Sequence, residues 1–399
     1  MDFLLEKAME NTRNERRHIP TQEVGQARIT VVGSGGAGNN TINRLYNIGI
    51  SGAQLVAVNT DRQHLEVIEA DKKMLIGTEL TKGLGAGGYP EIGEQAALEA
   101  KPELRSILEG SDLVFLTGGL GGGTGTGSLP VIAEVAKQTG AVVVGAVTMP
   151  FKVERARIGK AKEALLKLKK AADSVVVVDN NKLLSHVPDL PINEAFGVAD
   201  EVLARMVKGI TETIAVPSLV NLDFADVRSV MQDCTERGVA MIGLGDSDTR
   251  NRAEEAVIHA MENPLLEVDY RGATGALVHI TGGPDLTLGE ANRIGELATS
   301  YLRDDASVIW GARIDPEYEG RVQVMVIMTG VSSPDILGPN DTAQGLQRPT
   351  YNSNSLLQNY MRPRPRGVYR PPSVTKDKVQ RPESLMTNVL KDSGIDYIV

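Results

Sequence analysis

The residues best placed to do chemistry in this sequence are glycines. The stretch Val31–Asn40, VVGSGGAGNN, carries G-x-G-x-x-G at Gly33, Gly35 and Gly38, after an apolar run and before a helical pattern. A strand that feeds glycines into a helix lets backbone N–H groups approach a phosphate at the helix N-terminus. On this loop alone a nicotinamide or flavin dinucleotide and another phosphate ligand stand level. Asp61 is a late candidate for the acidic residue that would hold a dinucleotide ribose. A denser run, Gly118–Gly127 or GGLGGGTGTG, lies between LVFLT and SLPVIAEVAKQ. It exposes backbone amides with little side-chain bulk, and Thr124 and Thr126 offer hydroxyls to a phosphate chain or a hydrated metal. A dinucleotide fold needs no second phosphate loop, whereas a nucleoside triphosphate can use two. Gly83–Gly93, GLGAGGYPEIG, again precedes a helical stretch. Three glycine loops can thus surround one anionic ligand. No G-x-x-x-x-G-K-[ST] occurs, which sets aside the Walker-type NTPases.

A second kind of chemistry is available at Asn221-Leu222-Asp223-Phe224-Ala225-Asp226, where two carboxylates three residues apart can face one way. The same residues suit a plainer role, because Asn or Asp here caps the helix VRSVMQDCTERG and Asp226 complements its dipole. Both readings stay open from the residues alone. The five histidines are scattered without metal-ligand spacing, and Cys234 is the sole cysteine, so neither a zinc site nor a disulfide framework has support. A net charge of -9 argues against nucleic acid as a partner. No apolar run reaches the ~18 residues of a membrane span and no signal peptide opens the chain, so a soluble cytoplasmic protein without direct membrane insertion is expected.

The elements that must position these groups are legible as well. Residues 1–26 read as a flexible arm with a short apolar helix around Phe3, Leu4, Leu5 and Met9. From Arg28, the runs ITVV, LVAVN, LVFLT, VVVGAV and VVVVD alternate with helix-length segments. Continuous apolar strands alternating with helices predict an α/β, Rossmann-like parallel sheet covered on both faces, spanning 27–191. Ile192, Phe196, Ala199, Leu203, Met206, Ile210 and Ile214 recur at steps of three and four, which predicts one long central helix over 192–217. Residues 218–331 read as a smaller α+β domain. Residues 332–382 are rich in Pro, Asn, Ser, Gln and Arg and read as a disordered linker. The final 383–399 regain apolar spacing and read as a docking segment.

Taken together, GGLGGGTGTG, VVGSGGAGNN, GAGGYPEIG, MPFKVERAR and NLDFADV resemble the tubulin/FtsZ GTPase family, over about residues 27 to 331 and in the family's order. The FKVERAR and tail sequences are similar to archaeal members. The resemblance implies GTP/GDP as ligand, with Mg2+ bound through the phosphates and no dedicated metal ligands. It implies that Gly35, Gly36, Ala37, Gly38, Asn39 and Asn40 contact the nucleotide, and that Gly121, Gly122, Gly123, Thr124, Gly125, Thr126 and Gly127 wrap the phosphates. Gly85, Ala86 and Gly87, with Gly88, would sense the γ-phosphate, and Glu154 would hold the ribose. The family's bacterial pattern E-G-x-x-R is E-R-A-R here, which points to Arg157 as the phosphate-side arginine with Arg155 as the alternative. Asn180 stands where the family has NDKLL, with Asn181 in place of its aspartate. Phe196 would stack on guanine and Asp200 would accept from its N–H edge.

Asn221, Asp223 and Asp226 would enter the pocket of a neighbouring subunit and polarise the attacking water. The resemblance thus predicts a head-to-tail homopolymer forming the cell-division ring. It also predicts a membrane-anchoring partner for the C-terminal segment and a location at the division site. A tubulin-like cytoskeletal role outside division is the nearer alternative, and a Rossmann NAD-dependent oxidoreductase the more distant one.

Overall fold

A computed structural model describes residues 27–182, 189, 191–215, 219–220, 223–232, 240–262, 270, 273–300, 302–303, 306–331 and 395–397. The first half alternates strand and helix: β1 (Ile29–Ser34), α1 (Gly35–Ile48), β2 (Ala53–Asn59), α2 (Arg62–Val67), β3 (Lys72–Leu75) and α3 (Thr78–Thr81). It continues with α4 (Pro90–Glu99), α5 (Lys101–Leu108), β4 (Leu113–Gly119), α6 (Thr124–Gln138), β5 (Val142–Met149), α7 (Ala156–Ala171) and β6 (Ser174–Asp179). The predicted apolar runs are strands, each extended by one or two residues. They form the interior of a parallel sheet of order β3-β2-β1-β4-β5-β6.

The chain works outward from β1 to β3 on one side, then restarts at β4 on the other. β1 and β4 therefore meet at the switch point, in register from Ile29↔Leu113 to Gly33↔Thr117. In an open α/β sheet the crevice beyond the carboxyl ends of two such strands is where ligands bind. Two of the three glycine runs follow these two strands. β3 escaped the sequence reading because its KKML carries two lysines on an edge, where charge suits an outer strand better than a continuous apolar run. Ile395–Tyr397 (β11) adds to this edge in parallel, Ile395 opposite Lys73 and Tyr397 opposite Leu75. The rest of the predicted tail, 332–394 and 398–399, and the 1–26 arm lie outside the described residues.

The central helix is a single element, α8 (Ile192–Ala215), 24 residues long. Ala199, Leu203, Met206, Val207 and Ile210 on its apolar stripe are buried in one cluster with Phe115 and Val144 of the first sheet and with Ile242, Leu277, Met325 and Ile327 of the second. Removing a side chain such as Phe115 from water stabilises the fold by roughly 1.5–3 kcal/mol, so this shared core fixes α8 to both sheets. Beyond it lie α9 (Phe224–Gln232), β7 (Ala240–Ser247), α10 (Arg252–Met261), β8 (Gly275–Gly282), α11 (Leu288–Thr299), β9 (Ser307–Ile314) and β10 (Val322–Thr329). The second sheet has the order β7-β10-β8-β9, with β10 antiparallel to both neighbours and β8 parallel to β9. α10 and α11 cover it and are clamped by buried Arg252, which donates to Glu290 at 2.7 Å and Asp285 at 2.5 Å.

Candidate functional site

The three glycine runs converge on one cavity of about 470 Å3 at the carboxyl ends of β1 and β4. Gly35, Gly36 and Ala37 form one wall, Gly85, Ala86, Gly87 and Gly88 a second, and Gly122, Gly123, Thr124 and Gly125 a third. The sequence places these residues in loops, but α1 starts at Gly35 and α6 at Thr124, inside the glycine runs. The physical reason is that the first turn of a helix has no intrahelical partners for its N–H groups, so bare glycines leave those donors open toward a ligand. Two helix N-termini face the cavity. Both favour negative charge through the helix dipole.

The glycines divide into two kinds. A Cβ on Gly36 or Gly122 would meet no atom within 4 Å, so these two border open ligand space. A Cβ on Gly125 would lie 2.8 Å from Ser34 O and one on Gly123 2.8 Å from Ala86 Cβ, so these let the loops pack against one another. Gly127 belongs with them: its Cβ would collide with Pro90 O and Glu94 N, where α4 and α6 cross. Gly38 gives room for α1 against Thr117 O of β4, and Gly121, at φ 98°, packs on Arg157. Neither Gly38, Gly121 nor Gly127 lines the cavity.

Glu154, Arg157, Asn180 and Phe196 complete the far wall. The Glu154 carboxylate accepts from Phe151 N–H at 2.9 Å and from Arg157 Nη1 at 2.6 Å, which fixes both acid and cation at the rim. Of the two candidate arginines, Arg157 lines the cavity. Arg155 instead takes φ 30°, ψ -78° at the head of α7, a left-handed conformation at the position where the E-G-x-x-R pattern has glycine. Phe151 meets Phe196 edge to face at 5.6 Å and 74°. Asn180 Oδ1 is buried without a hydrogen-bond partner, as is the Oγ1 of Thr126 in the first turn of α6. Buried polar atoms left unpaired are costly; of these two, Asn180 lines the cavity and can pair with a ligand there, whereas Thr126 lies behind the wall. Asn181 turns away and bonds Asp179 and Lys152 N–H.

Three other predicted residues stand back from the cavity. Asn39 is buried and, with its amide nitrogen toward the carbonyls, donates to Gly33 O at 2.8 Å and Val58 O at 3.2 Å. Asn40 Oδ1 lies 3.2 Å from His64 Nε2. Asp200 sits behind the base wall with its Oδ1 3.5 Å from Thr41 Oγ1. Burial pushes its carboxyl up to about 6, against the opposing pull of Thr41 and Arg44. Sequence reasoning missed Asn59 and His64 on the cavity wall and gave Asp61 only a dinucleotide role. Their signal was positional, since all three lie at or just beyond the carboxyl end of β2.

The acid segment lies elsewhere. α9 is tied to the opposite, amino-terminal end of the first sheet's strands, where Arg228 Nη2 donates to Gly140 O at 3.3 Å just before β5 begins. Here Asp223 and Asp226 cap each other: Asp226 N–H donates to Asp223 Oδ1 at 2.8 Å and Asp223 N–H to Asp226 Oδ2 at 3.2 Å. The cap that the residues alone suggested is present, and it holds both carboxylates in one fixed arrangement. Asn221 lies outside the described residues.

Fold and cavity together define a nucleoside-phosphate-binding protein of Rossmann-like type, with a second sheet domain joined through a central helix. Comparison with known proteins narrows this. Residues 28–188 match the family model described as tubulin/FtsZ family, GTPase domain. Residues 238–332 match the one described as FtsZ family, C-terminal domain. The chain is 56% identical to cell division protein FtsZ 2 of Methanocaldococcus jannaschii over 391 residues, covering 97% of this chain and 94% of that one. It is 54% identical to FtsZ 2 of Haloferax volcanii, covering 86% of each. A solved FtsZ dimer from M. jannaschii superposes with TM-score 0.72 at 50% identity, covering 81% of this chain and 92% of that one. The chain belongs to the tubulin/FtsZ GTPase family, as an archaeal-type FtsZ member. It is a GTPase, and guanine nucleotide is its ligand.

Proposed function

We propose that this GTPase stacks head to tail into filaments that build a cell-division ring, and that each hydrolytic site is completed by the acid segment of the adjoining subunit. The observation that carries this reading is distance. α8 runs 19 residues from Phe196 at the cavity to Ala215, about 28 Å at 1.5 Å per residue, and α9 then sits at the amino-terminal end of the sheet's strands, opposite the cavity. Asp223 and Asp226 cannot serve the cavity of their own chain. In a stack they would enter the next one, and a repeated contact of this heterologous kind leaves an open filament.

The cavity residues then have separable tasks. The N–H groups of both helix starts and of Gly85–Gly88 hold the phosphates, Arg157 adds positive charge, Glu154 accepts from the ribose, Phe196 stacks on the base and Asp200 reads its edge. Mg2+ neutralises phosphate charge when bound. Among the described residues no cluster of three metal-ligating side chains occurs. The wall does offer the Asp61 carboxylate and the Thr124 hydroxyl, which suits an ion held through phosphate oxygens and water. Asp223 and Asp226, fixed by their mutual cap, orient the attacking water and accept its proton, so the rate gain rests on positioning and charge. The relatives named cell division proteins support the role in division. Residues 383–399, whose apolar spacing can fold on a partner groove, are assigned to a membrane-anchoring partner.

The test is phosphate release per subunit against protein concentration, together with sedimentation in GTP and in GDP. Turnover per molecule should rise through an assembly threshold; a rate that stays flat on dilution would reject a shared site.

A further inference from the structure

Among the described residues only two that are not glycine take a positive φ, Lys82 at 54° and Arg155 at 30°. Such conformations favour glycine and persist in other residues when something else is gained. Both are exposed cations whose side chains make no ion pair or hydrogen bond among the described residues. Neither lines the cavity itself, but each flanks in sequence a segment that does, on opposite walls. Lys82 ends α3, three residues before Gly85, and Arg155 follows Glu154. Each has a strongly exposed apolar neighbour two residues away, Leu84 at 80% and Val153 at 82%. An unpaired cation beside an exposed apolar side chain, twice over around one opening, is the composition of a contact rim rather than of a solvated loop.

We propose that Lys82 and Arg155 are docking cations that receive the carboxylate face of a second copy, the end that carries Asp223 and Asp226. This rests on the head-to-tail reading and adds the charge logic that such a contact requires. The cavity wall carries Asp61, Glu154 and Arg157, a net negative set before any ligand binds. A nucleoside triphosphate adds several more negative charges. Bringing two further carboxylates to this mouth is unfavourable unless cations meet them, and Arg157 is already paired with Glu154. Lys82 and Arg155 supply the missing positive charge from the rim, where it raises the association rate and selects the acid face as partner.

The test compares Lys82→Gln/Arg155→Gln, which keeps the backbone cost and removes the charge, with Lys82→Gly/Arg155→Gly, which removes both. The critical concentration for sedimentation is measured with a slowly hydrolysed GTP analogue across a KCl series. GTP affinity is measured on dilute protein. Both double variants should raise the critical concentration about 5-fold and flatten its salt dependence, the scale of two partly exposed ion pairs. GTP affinity should stay at the wild-type value. The glycine variant alone should melt about 2–4 °C higher, because the backbone cost is relieved. Wild-type critical concentration and salt slope in the glutamine variant would overturn the inference. So would a loss of GTP affinity in dilute protein, which would assign the cations to the nucleotide. A wild-type protein that forms no polymer with GTP would be a different result and would remove the head-to-tail reading itself.

Discussion

The two ends of α8 satisfy their polar groups in opposite ways. At the cavity, Asn180 Oδ1 is buried with no partner, and two helix starts leave their N–H groups open. At the far end, Asp223 and Asp226 each accept the other's N–H. One end is therefore unfinished until a ligand arrives, while the other is complete alone and presents its remaining oxygens in fixed positions. On the proposed reading the difference makes binding and hydrolysis separable, and mutations can be chosen to strike one end only.

The largest effect is expected at the acid end. Asp226→Ala should leave GTP affinity intact and raise the critical concentration by only a few-fold, while lowering turnover about 100-fold or more, as for loss of a positioned acid–base group. Asp226→Asn keeps an acceptor for Asp223 N–H and should be equally slow yet fully stable. If Asp226→Ala instead loses about 1 kcal/mol of stability and hydrolyses normally, this end is a cap and nothing more.

Next comes the cavity. Gly122 borders open space, so Gly122→Asp places a carboxylate among the phosphates without a backbone clash. GTP affinity by calorimetry should fall about 100-fold with an unchanged apo melting temperature. Gly125→Asp is a blunter probe, because its Cβ meets Ser34 O at 2.8 Å and folding suffers first.

A smaller effect should appear with pH. The Asp200 carboxyl titrates at about 6 in the folded chain, above its ordinary 3.8. The folded state thus holds this proton more tightly than the unfolded one, so the residue's contribution to apo stability grows as pH falls from about 6 toward 3.8. Guanine needs the ionised form as an acceptor, so GTP affinity should drop about tenfold per pH unit below that value. Asp200→Asn should abolish this pH dependence; an identical affinity profile in the variant would remove Asp200 from the base site. Smallest of all, Phe151→Leu removes the edge-to-face support of Phe196 and should weaken GTP binding about threefold, the measure of one aromatic pair. Inosine triphosphate, which retains the stacked ring, should weaken in proportion.

The same contrast explains what the sequence disclosed. The strands were readable because their β-branched runs are buried on both faces, and α8 because Ala199 to Ile210 hold one apolar stripe. The cavity was readable as glycine density. That density did not reveal which glycines face the ligand and which let α4 cross α6, because both uses require a missing side chain. The start of α6 inside the glycine run was hidden for a related reason: glycine opposes helix by propensity, and the first turn of α6 packs against Gly93 and Ser34. Asn59 and His64 carry no local motif and become visible only once β2 lies beside β1. The acid pair looked like a cap or a catalyst in one dimension, and in three the cap is what sets its geometry.

The length of α8 has an arithmetical consequence. If every complete site needs one cavity and the acid segment of another chain, a stack of n copies contains n − 1 such sites, and one terminal cavity always waits. A pair of subunits can be at most half active, and activity per subunit climbs as 1 − 1/n toward a plateau. Short stacks would then keep a larger share of their nucleotide unspent than long ones, so a filament could register its own length in its chemistry with no dedicated sensor.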